Sequence, residues 1–327
     1  MSKFKKIFLL SLSILIFTGC LNKDNENDEF KTDVIEVSKK PLTSEVNIKT
    51  STFASDIIVD QIIKDRPETY KKTSINNFSQ IESLDFDIAI VPAYRVVDLY
   101  NNSKGNINLA AITMINNLNI ISDKQINSPK DMAGRTIMVT ELGDSIDKLI
   151  DSKLSFIKNL MRINTESYTS EKDLIKNLTN SEDVIAILQE PYYSKALEER
   201  TYYSFDVNEV ISMIPSFKRD PNEDFLSEVI IVNKNYLRDN KESFDKFLEE
   251  YKNKQDLIND TTVLSQSIIN KYDITNEKAL EVYESMEKTF IKSDTMVGVF
   301  EIYLDKLEGL DKNIFSGERP GDDLYYK

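Results

Sequence analysis

The chain has 327 residues, with 41 Lys and Arg against 55 Asp and Glu, which gives a formal net charge of −14. It contains no His and one Cys, so the sequence excludes imidazole metal sites, His-dependent catalysis and an internal disulfide. The acidic balance argues against nucleic acid as a partner, because phosphate binding needs a basic surface.

The N-terminus has the pattern of a lipoprotein signal peptide over residues 1–19. Three lysines lie within the first six residues, and an apolar stretch follows over residues 7–17. The string Phe17-Thr18-Gly19-Cys20 resembles the bacterial lipobox, although Phe17 stands where Leu is usual. The lipobox implies that Cys20 is acylated, becomes the mature N-terminus and anchors the protein at the extracytoplasmic face of the cell membrane. The alternative is an ordinary signal peptide with an incidental Cys.

Residues 20–44 are polar and lack strong periodicity, which predicts a flexible tether. Removal of residues 1–19 takes away three lysines and no acidic residue, so the mature chain would carry a charge of −17. The chain has only 8 Gly and contains neither G-x-G-x-x-G nor a Walker motif. We therefore expect no cofactor.

Strands and helices alternate from residue 46 onward, which predicts an α/β fold with mainly parallel sheets. Alternating or continuously apolar runs predict seven strands, at residues 46–50, 73–78, 86–91, 107–113, 118–122, 136–140 and 184–188. Apolar residues at helical spacing predict helices between them, at residues 54–64, 145–161, 170–178 and 191–197. After a further strand at residues 227–232, the last hundred residues are predicted to be almost all helical.

Five strings in this order resemble one protein family: residues 87–93 (DIAIVPA), 128–137 (SPKDMAGRTI), 188–191 (LQEP), 229–237 (VIIVNKNYL) and 316–326 (SGERPGDDLYY). The chain resembles the lipid-anchored solute-binding proteins of ABC importers, in the group that handles nitrate, alkanesulfonates, taurine and thiamine-type pyrimidines. The resemblance covers essentially the whole mature chain.

The resemblance implies two doubly wound α/β lobes joined by two crossings, as in type II periplasmic binding proteins, with a helical C-terminal region. Lobe I would comprise residues 45–115 and 229–327, and lobe II residues 116–228. A small-molecule ligand would bind in the cleft between the lobes, and the lobes would close around it by a hinge motion. The partners implied are the permease subunits of an importer. We expect a monomer and no enzymatic activity.

Ligands of open α/β sheets bind beyond the carboxyl ends of the strands, so the loops after the predicted strands supply candidate ligand-binding residues. In lobe I these are Ser51, Thr52, Phe53, Pro92, Ala93, Tyr94, Thr113 and Asn116. Each of the three loops that hold these residues also has a structural interpretation. Thr52 or Ser55 could cap the helix, Tyr94 could be a ring of the core, and Asn116 could belong to a polar turn.

In lobe II the candidates are Gly143, Asp144, Ser145, Glu190 and Tyr192. Family members that bind oxyanions present Gly, Ser and Thr at the first of these loops, whereas this chain also has Glu141 there. Carboxylates at a helix N-terminus repel an anion, so the loop disfavours nitrate and sulfonate. Asp144 as an outward-facing helix cap and Glu190 as a purely structural residue are the alternatives.

Carboxylates and Tyr rings together predict a ligand that is neutral or cationic, with aromatic molecules included. Two other functions stay open at this point. One is an enzyme on the same bilobal fold, pyrimidine-forming or deoxyfutalosine-type, which the absence of His disfavours. The other is a surface lipoprotein with an adhesive or structural role.

Overall fold

Two β-sheets organise the chain, one of six strands and one of five. The structure is a computed structural model that describes residues 45–75, 79–82, 84–140, 162–206, 226–310, 315 and 317–327. All of these lie within the unit Ser44–Lys327. The predicted signal peptide, the tether and Cys20 lie outside the described residues.

The described strands are β1 Val46–Thr50, β2 Tyr70–Ser74, β3 Ile88–Pro92, β4 Ile107–Ile115, β5 Leu118–Ser122, β6 Thr136–Thr140, β7 Asn164–Tyr168, β8 Val184–Gln189, β9 Tyr203–Asp206, β10 Leu226–Asn233 and β11 Lys288–Lys292. The described α-helices are α1 Phe53–Asp65, α2 Ser79–Glu82, α3 Val96–Asn102, α4 Glu171–Thr179, α5 Tyr192–Glu199, α6 Lys234–Leu257, α7 Gln266–Tyr272, α8 Asn276–Ser285 and α9 Ser293–Leu310.

The first sheet has the strand order β11-β4-β10-β3-β1-β2, and the second has the order β7-β6-β8-β5-β9. Parallel pairs join β1 to β2 and β3, and β6 to β7 and β8. The strands β10 and β5 run antiparallel to their neighbours, and β11 runs antiparallel to β4. Both sheets are therefore mixed, and the prediction of mainly parallel sheets is wrong. We name the two lobes by these sheets: the first lobe carries the six-stranded sheet and the second lobe the five-stranded sheet.

Both faces of the first sheet are covered by helices, because its central strands are apolar on both sides. Ile88 and Ile90 face the cluster that includes α1, α6, α7 and α8, whereas Ala89 and Val91 face the cluster that includes α3 and α9. This alternation follows from the pleat of a strand. In the second lobe, α4 and α5 pack on β6 and β8 through Leu174, Leu178 and Ala196.

The chain passes from the first sheet to the second through Asn116 and Asn117, between β4 and β5. The Asn117 N–H donates to Ser227 Oγ at 2.7 Å, and Asn117 Oδ1 accepts from the Glu190 N–H at 3.3 Å. The chain returns to the first sheet at β10, which begins at Leu226, three residues before the predicted lobe boundary.

Three predicted features of the secondary structure need correction. The strand predicted at residues 73–78 lies at Tyr70–Ser74, because parallel pairing of β2 with β1 sets Tyr70 opposite Val46. The region predicted to be almost all helical contains β11, which pairs with β4 at the edge of the first sheet. The strands β7 and β9, at the two edges of the second sheet, have no counterpart in the prediction. The helix predicted at residues 145–161 lies outside the described residues.

Candidate functional site

A cleft of about 560 Å³ opens between the two lobes. It is lined by Ser51, Thr52, Phe53, Ile75, Tyr94, Thr140, Thr169, Ser170, Glu171, Lys172, Gln189, Glu190, Tyr192, Asn270, Lys271 and Tyr272. Most of these residues lie at or just beyond the carboxyl ends of β1, β2, β3, β6, β7 and β8. The other three, Asn270, Lys271 and Tyr272, are the last residues of helix α7 in the first lobe. Strands of both sheets therefore end at one shared cavity, the position where open α/β sheets bind ligands.

Three helices begin at the cleft. The helix α1 is capped by Thr52, whose hydroxyl accepts from the Ser55 N–H at 3.2 Å. The helix α4 is capped by Ser170, whose hydroxyl accepts from the Asp173 N–H at 3.2 Å. The helix α5 begins at Tyr192. Each of the two caps satisfies one backbone N–H at its helix N-terminus.

Aromatic rings form one wall of the cleft. The rings of Phe53 and Tyr272 pack edge to face, with centroids 4.9 Å apart. The ring of Tyr192, from the second lobe, lies 6.1 Å from that of Tyr272. Burial raises the pKa of both tyrosines above the ordinary value, so their hydroxyls stay protonated. We call Phe53, Tyr192 and Tyr272 the aromatic wall. It can pack against a flat ligand.

The buried carboxylate of Asp56 supports the aromatic wall by accepting a hydrogen bond from Tyr272. Asp56 is 0% exposed. Its Oδ2 accepts from Lys271 Nζ at 2.8 Å and from the Tyr272 hydroxyl at 2.8 Å. Its Oδ1 accepts from the hydroxyls of Thr50 and Ser74. Asp56 therefore fixes the positions of two cleft residues and matches the charge of Lys271.

A second buried carboxylate, Glu228, positions Thr52. The Thr52 hydroxyl donates to Glu228 Oε2, and Oε1 accepts from the Thr113 hydroxyl at 2.6 Å and from the Tyr251 hydroxyl at 3.0 Å. Burial raises the pKa of the Glu228 carboxyl, and these hydroxyl donors oppose the shift. Glu228 lies on β10 and Thr113 on β4, so one carboxyl group links a cleft residue to two adjacent strands of the first sheet.

Two carboxylates of the second lobe line the cleft directly. Glu190 accepts two hydrogen bonds from Ser194, from the hydroxyl at 2.9 Å and from the N–H at 3.2 Å. Glu171 accepts from its own backbone N–H. Burial raises the pKa of both carboxyl groups, and Lys271 acts against that shift at Glu171.

Six residues proposed from the sequence line this cleft: Ser51, Thr52, Phe53, Tyr94, Glu190 and Tyr192. Four others do not. Pro92 and Ala93 are buried at the end of β3, and Thr113 is buried in β4, where its hydroxyl binds Glu228. Asn116 donates to Glu287 Oε2 at 2.8 Å, outside the cleft. The predicted Gly143, Asp144 and Ser145 lie outside the described residues, as does Glu141.

The sequence reasoning missed the cleft residues contributed by β7, α4 and α7. The helix predicted to begin at residue 170 could have marked Thr169, Glu171 and Lys172 as part of a loop that enters a helix. No such signal marks Asn270, Lys271 and Tyr272, because α7 lies in the C-terminal helical region, whose apolar stripes indicate core packing.

Within the described ranges, no group of three or more His, Cys, Asp or Glu side chains is arranged to hold a metal ion. None of the helices in this part of the chain is both long and apolar enough to cross a membrane.

Neither a protein-family model nor a curated protein matches this chain in sequence. Solved structures match it in fold. An ABC transporter protein from Parabacteroides distasonis is 12% identical, with a TM-score of 0.59 over 86% of this chain and 99% of that chain. A zinc-bound ligand-binding component of an ABC-type import system from Staphylococcus aureus is 12% identical, with a TM-score of 0.60 over 87% and 97%.

The periplasmic aliphatic sulphonate binding protein SsuA from Escherichia coli is 10% identical, with a TM-score of 0.57 over 86% of this chain and 96% of that chain. At such low identities the likeness concerns the fold. It confirms the fold class expected from the five sequence strings. The chain thus has the bilobal α/β fold of ABC-transporter solute-binding proteins.

Proposed function

We propose that the protein is a lipid-anchored, extracytoplasmic solute-binding protein that captures a small organic solute in the cleft and delivers it to the permease of an ABC importer. The observation that carries this proposal is the position of the cleft, where strands of both sheets end against one cavity. Such a site can enclose a solute when the lobes close, and it needs no catalytic step.

The proposal places the lobes as the sequence predicts, with the second boundary moved to Leu226, where β10 joins the first sheet. One chain supplies both walls of the cleft, so a monomer is sufficient to bind the solute. Acylation of Cys20 would hold it at the membrane through the tether of residues 20–44. The carboxylates and Tyr rings of the cleft favour a neutral or cationic solute, aromatic solutes included.

A thermal-shift screen tests solute binding, with the full-length protein in detergent and a panel of sulfonates, nitrate, pyrimidines, flavins and amines. A solute at one hundred times its Kd adds about 2.7 kcal/mol to the free energy of unfolding, and the melting temperature should rise by several degrees. Absence of any response from the panel and from larger solute collections would contradict the proposal.

Two variants locate the binding site. Thr169 is exposed and lines the cleft, so Thr169→Trp should fill the cleft and abolish the shift. Thr201 is exposed outside the cleft, and Thr201→Trp is the matched control that should respond like the unaltered protein. An equal loss in both variants would place binding elsewhere.

The anchor is tested separately, by the incorporation of labelled palmitate in a bacterial host. The unaltered protein should carry the label and sediment with membranes. Cys20→Ala should lose the label and leave the membrane fraction, because Cys20 is the only thiol in the chain. A labelled Cys20→Ala variant would rule out this anchor.

A further inference from the structure

Of the two described carboxylates that line the cleft, Glu171 is the one without a hydrogen bond from another described residue. Lys271 is matched by Asp56 at 2.8 Å, and Glu190 accepts two hydrogen bonds from Ser194. Lys172 is exposed to solvent. Within the described ranges, no Lys or Arg nitrogen lies within 4.0 Å of a Glu171 carboxylate oxygen, and no other side chain donates to it.

Glu171 lies on the cleft beside the aromatic wall. Glu171, Tyr192 and Tyr272 line the same cavity, and the centroids of the two rings lie 6.1 Å apart. A cation placed between a carboxylate and aromatic rings gains an ion pair and a cation–π interaction together. The wall also offers apolar area for the body of such a ligand.

The same arrangement of charges disfavours the binding of an anionic ligand. Glu171 occupies the first turn of α4, so the protein's own carboxylate already stands at the positive end of that helix. The ammonium of Lys271, which an anion could otherwise use, is held by Asp56. An anionic ligand would therefore meet Glu171 and Glu190, and the remaining cation of the described cleft lining, Lys172, is exposed to solvent, where its attraction is weak.

We propose that the cleft selects an organic cation: the Glu171 carboxylate binds the cationic nitrogen of the ligand, and Tyr192, Tyr272 and Phe53 pack against its apolar body. This inference rests on the proposed function, since it assigns the chemical class of the solute. It makes Glu171 a specificity-determining residue that the sequence reasoning did not identify.

Three probes that share one ring and differ in charge test the proposal: benzylammonium, benzyl alcohol and benzenesulfonate. Their affinities for the full-length protein in detergent are measured by ligand-observed NMR and calorimetry. We expect benzylammonium to bind roughly tenfold more tightly than benzyl alcohol, and benzenesulfonate to bind least. Tightest binding of benzenesulfonate, or equal binding of all three, would overturn the proposal while leaving solute binding intact.

Variants of Glu171 separate its charge from its packing. Glu171→Gln should remove the preference for benzylammonium and leave the affinity for benzyl alcohol within about twofold. Glu171→Asp keeps the charge and should keep the preference. Glu182→Gln removes an exposed carboxylate of the same lobe outside the cleft, and it should behave like the unaltered protein. A preference that survives in Glu171→Gln, or that Glu182→Gln also loses, would overturn the proposal.

The solute screen decides the remaining case, in which none of the three probes binds. A cationic solute from the screen whose affinity falls roughly tenfold in Glu171→Gln supports the proposal. A neutral or anionic solute, or a cationic one indifferent to Glu171→Gln, overturns it and leaves the proposed function standing. If no small molecule binds the protein at all, the proposed function fails with it.

Discussion

Two acidic residues in the first turns of helices on opposite sides of the cleft, Asp56 in α1 and Glu171 in α4, have opposite surroundings. Asp56 is fully buried and accepts hydrogen bonds from four side chains, two of which line the cleft. Glu171 lines the cleft itself and accepts from its own backbone N–H. The Asp56 carboxylate of the first lobe thus holds two cleft residues in place, whereas the Glu171 carboxylate of the second lobe has no ion pair within 4.0 Å among the described residues.

Replacement of Asp56 tests the structural half of this comparison and should have the largest effect. Asp56→Ala leaves Lys271, Tyr272 and two hydroxyls without their acceptor, and should lower the free energy of unfolding by about 3 kcal/mol. Urea denaturation followed by circular dichroism measures this loss. Glu171→Gln, measured in parallel, should change stability by less than about 0.5 kcal/mol. Similar losses in the two variants would break the comparison.

The two tyrosines of the aromatic wall provide a matched pair with a smaller expected effect. The Tyr272 hydroxyl donates to Asp56, so Tyr272→Phe should lower the free energy of unfolding by about 1.5 kcal/mol. Within the described part of the chain, the Tyr192 hydroxyl donates to no buried carboxylate, and Tyr192→Phe should lower the free energy of unfolding by less than about 0.5 kcal/mol. Thermal and urea unfolding of both variants check the difference. An equal cost would contradict the role assigned to Asp56.

The pH dependence of stability extends the comparison to Glu228, which is buried and has a raised pKa. Because the pKa is higher in the folded state, the folded protein still binds a proton at pH values where the unfolded chain has released it, above about pH 4.3. The resulting contribution to the free energy of unfolding is fully present below about pH 4.3, and it is lost as pH rises through the raised pKa. Each unit by which the folded-state pKa exceeds the unfolded-state pKa contributes about 1.4 kcal/mol to the free energy of unfolding.

Glu228→Gln removes this group from the titration. The free energy of unfolding of the variant, relative to the unaltered protein, should therefore increase as pH rises from about 4 to 7. Urea denaturation at several pH values measures the difference. Glu182→Gln, which alters an exposed carboxylate, should show no comparable trend. A difference independent of pH would mean that Glu228 does not titrate in this window.

Local patterns predicted the regular parts of the fold well. The strands Val46–Thr50, Leu118–Ser122 and Thr136–Thr140 have the bounds that their apolar runs indicate, because a strand buried on a core face needs apolar residues at that spacing. The edge strand β11 was missed, since its residues are mostly half-buried or exposed and its pairing with β4 is nonlocal.

Strand ends predicted six of the sixteen described residues that line the cleft, for a similar reason. Ser51, Thr52 and Glu190 follow strands whose apolar runs are clear, and parallel strands end on the same side of a sheet. Thr113 also lies near a strand end in the sequence, but β4 continues to Ile115 and its antiparallel partner β10 turns Thr113 toward Glu228. The length and pairing of that strand moved this residue out of the cleft.

The sequence by itself determined the alternation of strands and helices and the loops that follow the clearest strands, because burial imposes a local pattern on each element. Only the tertiary structure decided which charges on the cleft wall are matched. Asp56 and Lys271 are far apart in the chain and meet through the packing of α1 against α7, whereas Glu171 has no such partner in the described residues. The free energy of a charge depends on its neighbours in space, and those neighbours come from distant parts of the chain.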